Sequence, residues 1–128
     1  MESKAGICPV LIVDDDNDLC QILIRMLPKV CSAHVEHTLE MAESYLSRLR
    51  PEIILLDNNL PDGHGIQHIR TMLGFHPDAK IVLMTSDTSK GLKENALEEG
   101  AVRFISKPFS AADLSRVIFS LCPELPAA

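Results

Sequence analysis

The sequence predicts one α/β domain in which a parallel five-stranded sheet is covered on both faces by helices. Short apolar runs alternate with segments of helical period from one end of the chain to the other, the pattern of repeated βα units. The runs "VLIV" (10–13), "IILL" (53–56) and "IVLM" (81–84) also lack polar alternation, as strands do when helices pack on both sides of a sheet. With 128 residues, 46 % of them hydrophobic, the chain suits one core and leaves little room for another. A single domain over 1–128 is therefore expected, with its core from about 8 to 121 and the tail "CPELPAA" (122–128) as a linker or frayed end.

The elements follow in order. After the strand at 10–13, Asp16 is placed to cap a helix whose apolar face is Leu19, Ile22, Leu23, Met26 and Leu27, with Asp18 favoured by the helix dipole in the first turn. A weaker strand is expected near 32–36, "SAHVE", and then a helix marked by Leu39, Ala42, Leu46 and Leu49. The strand at 53–56 leads to a helix over about 64–74, and the strand at 81–84 to one over 90–99, which Gly100 ends as a C-terminal glycine. The run "VRFI" (102–105) is the last strand, and Leu114, Val117, Ile118 and Leu121 mark the last helix. Right-handed βαβ crossovers make this a doubly wound (βα)5 sheet, of flavodoxin-like order 2-1-3-4-5.

Composition removes several functions. A formal net charge of −6 opposes direct nucleic-acid binding, which calls for a basic face. No apolar run approaches the roughly 20 residues of a membrane span, and "MESKAGICP" lacks the basic and apolar regions of a signal peptide, so a cytoplasmic protein without membrane contact is expected. Cys8, Cys20, Cys31 and Cys122 have neither close pairing nor Cys-x-x-Cys spacing, and read as buried free thiols rather than a zinc site or disulfide framework.

Directly after its first strand the chain places "VDDDND", four carboxylates in five residues. Like charges so close destabilise a fold unless a cation or a special backbone position absorbs them. In open α/β sheets, sites form outside the carboxyl ends of the strands. There the first strand supplies Asp14 and Asp15, the third Asp57, the fourth Thr85 and Ser86, and the fifth Lys107. Each alone reads more simply as a turn residue or a solvated charge; the coincidence at four strand ends favours a site. Three facing acids suit Mg2+, which takes carboxylates, waters and a phosphate oxygen. Beside such an ion Asp57, at the end of the central strand, can act as a nucleophile toward phosphorus, with Lys107 and Thr85 near the phosphoryl oxygens.

"VLIVDDDND", "PEIILLDNNLPDGHG", "IVLMTS" and "FISKPF" resemble, in order and spacing, the receiver domain of two-component response regulators, in particular its chemotaxis-regulator type, over roughly 8–121. The resemblance implies that Asp57 is phosphorylated by a sensor histidine kinase or histidine phosphotransfer protein, and that the domain is a signalling switch rather than an enzyme, though it assists its own phosphorylation and dephosphorylation. It implies Mg2+, or Mn2+ in its place, at Asp14, Asp15, Asp57 and the backbone carbonyl of Asn59. Thr85 matches the switch hydroxyl, Phe104 the switch aromatic and Lys107 the phosphate-pairing lysine. Pro61 and Gly65 match the following loop, and Lys107-Pro108 a cis peptide. Asn59 and Asp87 match positions that tune acyl-phosphate hydrolysis. Output through residues 90–121, to an effector domain or a second receiver as a homodimer, is implied too. Phe104 stands where tyrosine is often found, and "DGHG" adds a glycine to the loop.

Other readings fit less well. A phosphatase with an aspartate nucleophile wants an Asp-x-Asp pair, and Asp57-Asn58-Asn59 lacks the second acid. In a flavodoxin-like electron carrier "DDDND" would repel the flavin phosphate. A degenerate receiver acting as a scaffold sits poorly with the intact set of acids, hydroxyl and lysine. His64 and His68, four apart, are read as solvated side chains without a role.

Overall fold

The computed structural model describes residues 7–122, so 123–128 of the expected tail lie outside the described residues. Five strands form one parallel sheet: β1 (Cys8–Val13), β2 (Cys31–Glu36), β3 (Ile53–Asp57), β4 (Lys80–Thr85) and β5 (Arg103–Ser106). Their spatial order is β2-β1-β3-β4-β5, the expected one. Five α-helices connect or follow them: α1 (Asn17–Met26), α2 (Leu39–Leu46), α3 (Ile69–Phe75), α4 (Leu92–Glu99) and α5 (Ala111–Leu121).

The unbroken apolar runs are explained by two cores, one on each face. Val10 and Ile12, Ile53 and Leu55, and Val82 and Met84 point to the side of α1 and α5, where they meet Cys20, Leu23, Leu114 and Ile118. The alternate residues Leu11, Val13, Ile54, Leu56, Ile81 and Leu83 point to α2, α3 and α4, against Leu39, Leu46, Ile69, Met72 and Ala96. Burying one such aliphatic side chain stabilises by about 1.5–3 kcal/mol, which fixes strand register because a one-residue slip would exchange the two cores.

Local signals hold most boundaries. Asp16 caps α1, its carboxylate accepting from the Leu19 N–H at 3.1 Å, and Ser110 and Asp113 form a reciprocal capping box on α5. Gly100, with φ of +120°, ends α4 as expected.

The structure corrects several boundaries and faces. The third helix begins at Ile69, not at 64: a hairpin of Asn59–Leu60 against Gly63–His64 and a 3-10 turn over Gly65–His68 come first. At Gly65 a Cβ would lie 2.4 Å from the Asp57 carbonyl oxygen, so the chain crosses β3 too closely to enter a helix at 64. The fourth helix starts at Leu92 rather than 90, after Gly91 in the left-handed region. The last strand is 103–106 rather than 102–105, an edge strand in which Ile105 alone is fully buried. Ile22 is 47 % exposed, because the apolar face of α1 is narrower than its periodicity suggests. Leu49 is equally exposed, because α2 stops at Leu46.

Candidate functional site

At the carboxyl edge of the sheet β1 and β3, which are adjacent, deliver Asp14 and Asp57 side by side. Asp14 is 1 % and Asp57 5 % exposed, while Asp15 stands at the rim. One carboxylate oxygen from each of Asp14, Asp15 and Asp57 lies within 4.8 Å of the others. Lys107, just beyond β5, spans the site: its Nζ donates to Asp57 Oδ1 at 2.9 Å and to Asp14 Oδ2 at 3.1 Å. Its backbone N–H donates to the Thr85 carbonyl at 2.9 Å, and the following Lys107-Pro108 bond is cis, as the resemblance implied.

Asp14 is braced from several sides. Its Oδ1 accepts the Asp16 N–H at 3.0 Å, and its carbonyl accepts from His37 Nδ1 at 2.8 Å and from the Cys20 thiol at 3.4 Å. Behind Asp57, the buried Asn58 donates its N–H to Met84 and takes the N–H of Gly65 on its carbonyl and that of Ile66 on its side chain, which folds the loop back over β3.

Three carboxylates against one ammonium leave a formal charge of −2 at this edge. Burial pushes the Asp57 carboxyl above the ordinary aspartate value and the charge of Asp14 adds to this; the bond and charge of Lys107 oppose it without cancelling it. Burial pulls the Lys107 ammonium down, but its bonds and attraction to Asp57 and Asp14 prevail and raise it. The ammonium therefore stays charged and the two buried acids remain under-neutralised. An all-oxygen donor set with residual charge of −2 fits a hard divalent cation such as Mg2+ or Mn2+.

Thr85 is buried at the end of β4, its hydroxyl accepting the Asp87 N–H at 3.0 Å, while Ser86 is exposed. Phe104 on β5 is half-buried against the core of α2, α3 and α4. Asn59 is exposed just past the site, and its backbone N–H is near enough to the Asp57 carboxyl to oppose the effect of burial slightly. His64 and His68 do not share a ligand, since His68 Nδ1 meets Glu43 at 2.7 Å.

Sequence reasoning missed Asn58, His37 and Asp62. Asp62 sits in "PDG", a turn pattern, yet its carboxylate takes the Leu39 and Glu40 N–H groups at 2.9 and 3.0 Å, with Thr38 as the local cap of α2. Those two bonds hold the Asp62 carboxyl below its ordinary value. No local signal marks such a cap, because its donor and acceptor are 23 positions apart.

Residues 10–119 match the family model described as the response regulator receiver domain. The chain is 36 % identical over 101 residues to the transcriptional regulatory protein CitB of Klebsiella pneumoniae, covering 77 % of this chain and 43 % of CitB. It is 28 % identical over 105 residues to the chemotaxis protein CheY of Listeria monocytogenes, covering 79 % of this chain and 87 % of CheY. The fold matches a CheY-like receiver domain protein from Methanospirillum hungatei with a TM-score of 0.84 at 22 % identity, over 92 % of this chain and 96 % of that one. The chain thus spans less than half the length of CitB but most of CheY. It belongs to the response regulator receiver domain family, the phosphoacceptor domains of two-component signalling.

Proposed function

We propose that Asp57 is the phosphoacceptor and that residues 1–128 form a single receiver domain. The observation that carries this reading is the position of Asp57: it ends the central strand, is buried beside Asp14, and touches the Lys107 ammonium. In transfer, a carboxylate oxygen of Asp57 attacks the phosphorus of a phosphohistidine on a sensor kinase or phosphotransfer protein. The O–P bond forms as the N–P bond breaks, and the imidazole leaves with the electron pair. Asp14, Asp15, Asp57 and the Asn59 backbone carbonyl would hold Mg2+, with Mn2+ as a substitute. Bound there, the cation neutralises the acids and the phosphoryl oxygens. Lys107 keeps its charge on the same oxygens.

Thr85 is the switch hydroxyl in this reading. A phosphoryl group on Asp57 offers acceptors for the Thr85 hydroxyl proton, and movement of the hydroxyl inward toward them, away from the Asp87 N–H it accepts, vacates space for the half-buried Phe104 ring. Lacking a hydroxyl, Phe104 gains from packing alone, so the bias toward the active form is modest. Output then passes through residues 90–121 to an effector domain or a second receiver. Asn59 and Asp87 are exposed beside the site and suit the orientation of the hydrolytic water that ends the signal. An apolar groove of about 440 Å3, lined by Leu19, Ile22, Met26, Pro108 and Phe109, opens beside Lys107 and supports docking of the phosphodonor protein there. No described helix is long and apolar enough to cross a membrane, in keeping with a cytoplasmic partner.

Labelling with acetyl phosphate and Mg2+, read by intact mass, tests the assignment. Asp57→Asn should abolish the added phosphoryl mass, whereas Asp16→Asn, which alters only the α1 cap, should retain it. Equal loss in both variants would sink the proposal.

A further inference from the structure

Three thiols meet at the edge of the sheet opposite the acidic site. Cys8 opens β1, Cys31 opens β2 directly across from it, and Cys122 follows the last turn of α5. Although 114 positions apart, Cys8 and Cys122 bring their Sγ atoms to 3.2 Å, and both are buried. The approach is not left to a frayed helix end. The Cys122 N–H donates to the Ile118 carbonyl at 3.0 Å, and Lys80 Nζ ties the Leu121 carbonyl at 2.7 Å while also bonding Glu52 at 2.9 Å.

We propose that Cys8 and Cys122 form a reversible disulfide on exposure to peroxide, with Cys31 as the thiol that the oxidant meets first. The two sulfurs need to close by about 1.1 Å to reach bonding distance. Cys31 is less suited to the final bond, because it faces Cys8 across a hydrogen-bonded ladder whose spacing of about 4.8 Å is at the short end of disulfide geometry, so a bond formed there is strained and readily displaced. It is better suited to first contact, because it alone of the three is only half-buried. The neighbouring Cys8 thiol favours its thiolate, the reactive form. The same contact and burial raise the Cys8 thiol, and burial holds Cys122 up to about 12, so neither reacts readily alone.

The chemistry balances with hydrogen peroxide as oxidant. The Cys31 thiolate attacks one peroxide oxygen, the O–O bond breaks, and a sulfenic acid and water result. Cys8 attacks that sulfur and expels a second water, giving a Cys8–Cys31 disulfide. Cys122 then attacks Cys8 and releases Cys31 as a thiol. In sum two thiols give up two electrons and two protons, and one peroxide becomes two waters. The product staples the end of α5 to the start of β1, and a dithiol reductant reverses it.

The test uses the full chain treated with one equivalent of hydrogen peroxide, then alkylated under denaturing conditions and mapped by peptide mass. We expect a Cys8–Cys122 linkage with Cys20 and Cys31 alkylated, its loss with dithiothreitol, and a melting temperature higher by about 5 °C or more from cross-linking so long a loop. Cys31→Ser should slow the linkage about tenfold without changing the pair, and Cys31→Ala serves if the serine variant does not fold. Asp57→Asn should cross-link as the wild type does, which separates this proposal from the assignment of the phosphoacceptor. Four alkylated cysteines, a different final pair, or an unchanged rate in the Cys31 variants would overturn it.

Discussion

The strand β1 begins at Cys8 and is followed by Asp14, so within roughly 20 Å it joins two clusters of ionisable groups drawn from distant parts of the chain. At both ends burial works in one direction, raising the acid at Asp57 and the thiols at Cys8 and Cys122. What differs is the compensation. At the carboxyl edge an ammonium touches two buried carboxylates and leaves a net negative charge that attracts a cation. At the other edge the Cys8 and Cys122 thiols stay neutral and need no cation, and Lys80 turns to Glu52 and a helix carbonyl on the surface. A buried acid that must stay ionised requires a cation; a buried thiol simply keeps its proton.

The largest effect that would sharpen this contrast is expected for Lys107→Met. Removing the ammonium leaves Asp14 and Asp57 facing each other without compensation, which costs about 3 kcal/mol in urea unfolding without divalent cation. Added Mg2+ should recover most of this loss, more than it adds to the wild type. A Lys107→Met protein as stable as wild type in EDTA would show that the edge is not under electrostatic stress.

Somewhat smaller is the effect of Gly65→Ala. The new Cβ would meet the Asp57 carbonyl oxygen at 2.4 Å and Leu56 Cγ at 2.9 Å, so either the loop or β3 must shift, at a cost of about 2 kcal/mol. Because the strain falls on Asp57 itself, acetyl phosphate labelling should slow as stability drops. Labelling at the wild-type rate would separate the loop from the site.

The next effect is on pH dependence. A carboxyl raised in the folded state contributes stability below its ordinary value of 3.8, and that contribution is lost as pH rises through the folded value. Ionised Asp57 is therefore a burden on the metal-free protein at neutral pH. Asp57→Asn should melt higher than wild type in EDTA at pH 7, and the difference should shrink as the pH falls toward the ordinary carboxylate range. The rise in wild-type melting temperature caused by Mg2+ should shrink over the same interval, since protons compete for the ligand. Differential scanning calorimetry reads both, and a pH-independent response to Mg2+ would contradict them.

Lys80→Met should matter least. Lys80 and Glu52 are partly solvated, and loss of their pairing and of the bond to the Leu121 carbonyl should cost about 1 kcal/mol by chemical denaturation. A loss as large as that of Lys107→Met would erase the distinction between the two edges.

The strands at 10–13, 53–56 and 81–84, the cap at Asp16 and the stop at Gly100 are legible in the sequence, because each depends on neighbours within a few positions: alternate side chains, a carboxylate three residues from an N–H, a glycine free to take positive φ. Strand order followed from the βα alternation and the handedness of crossovers, and with it the meeting of Asp14, Asp57, Thr85 and Lys107 at one edge. The sequence did not reveal how these groups meet. Lys107 bonds both buried acids, His37 and Cys20 brace the Asp14 carbonyl, Asn58 folds the loop over β3, and Asp62 caps a helix 23 positions upstream. The cysteines show the limit most clearly: spacing gave no reason to pair them, yet Cys8 and Cys122 touch. Such contacts join residues that share no turn or strand, and tertiary packing of the first strand against the last helix decides them.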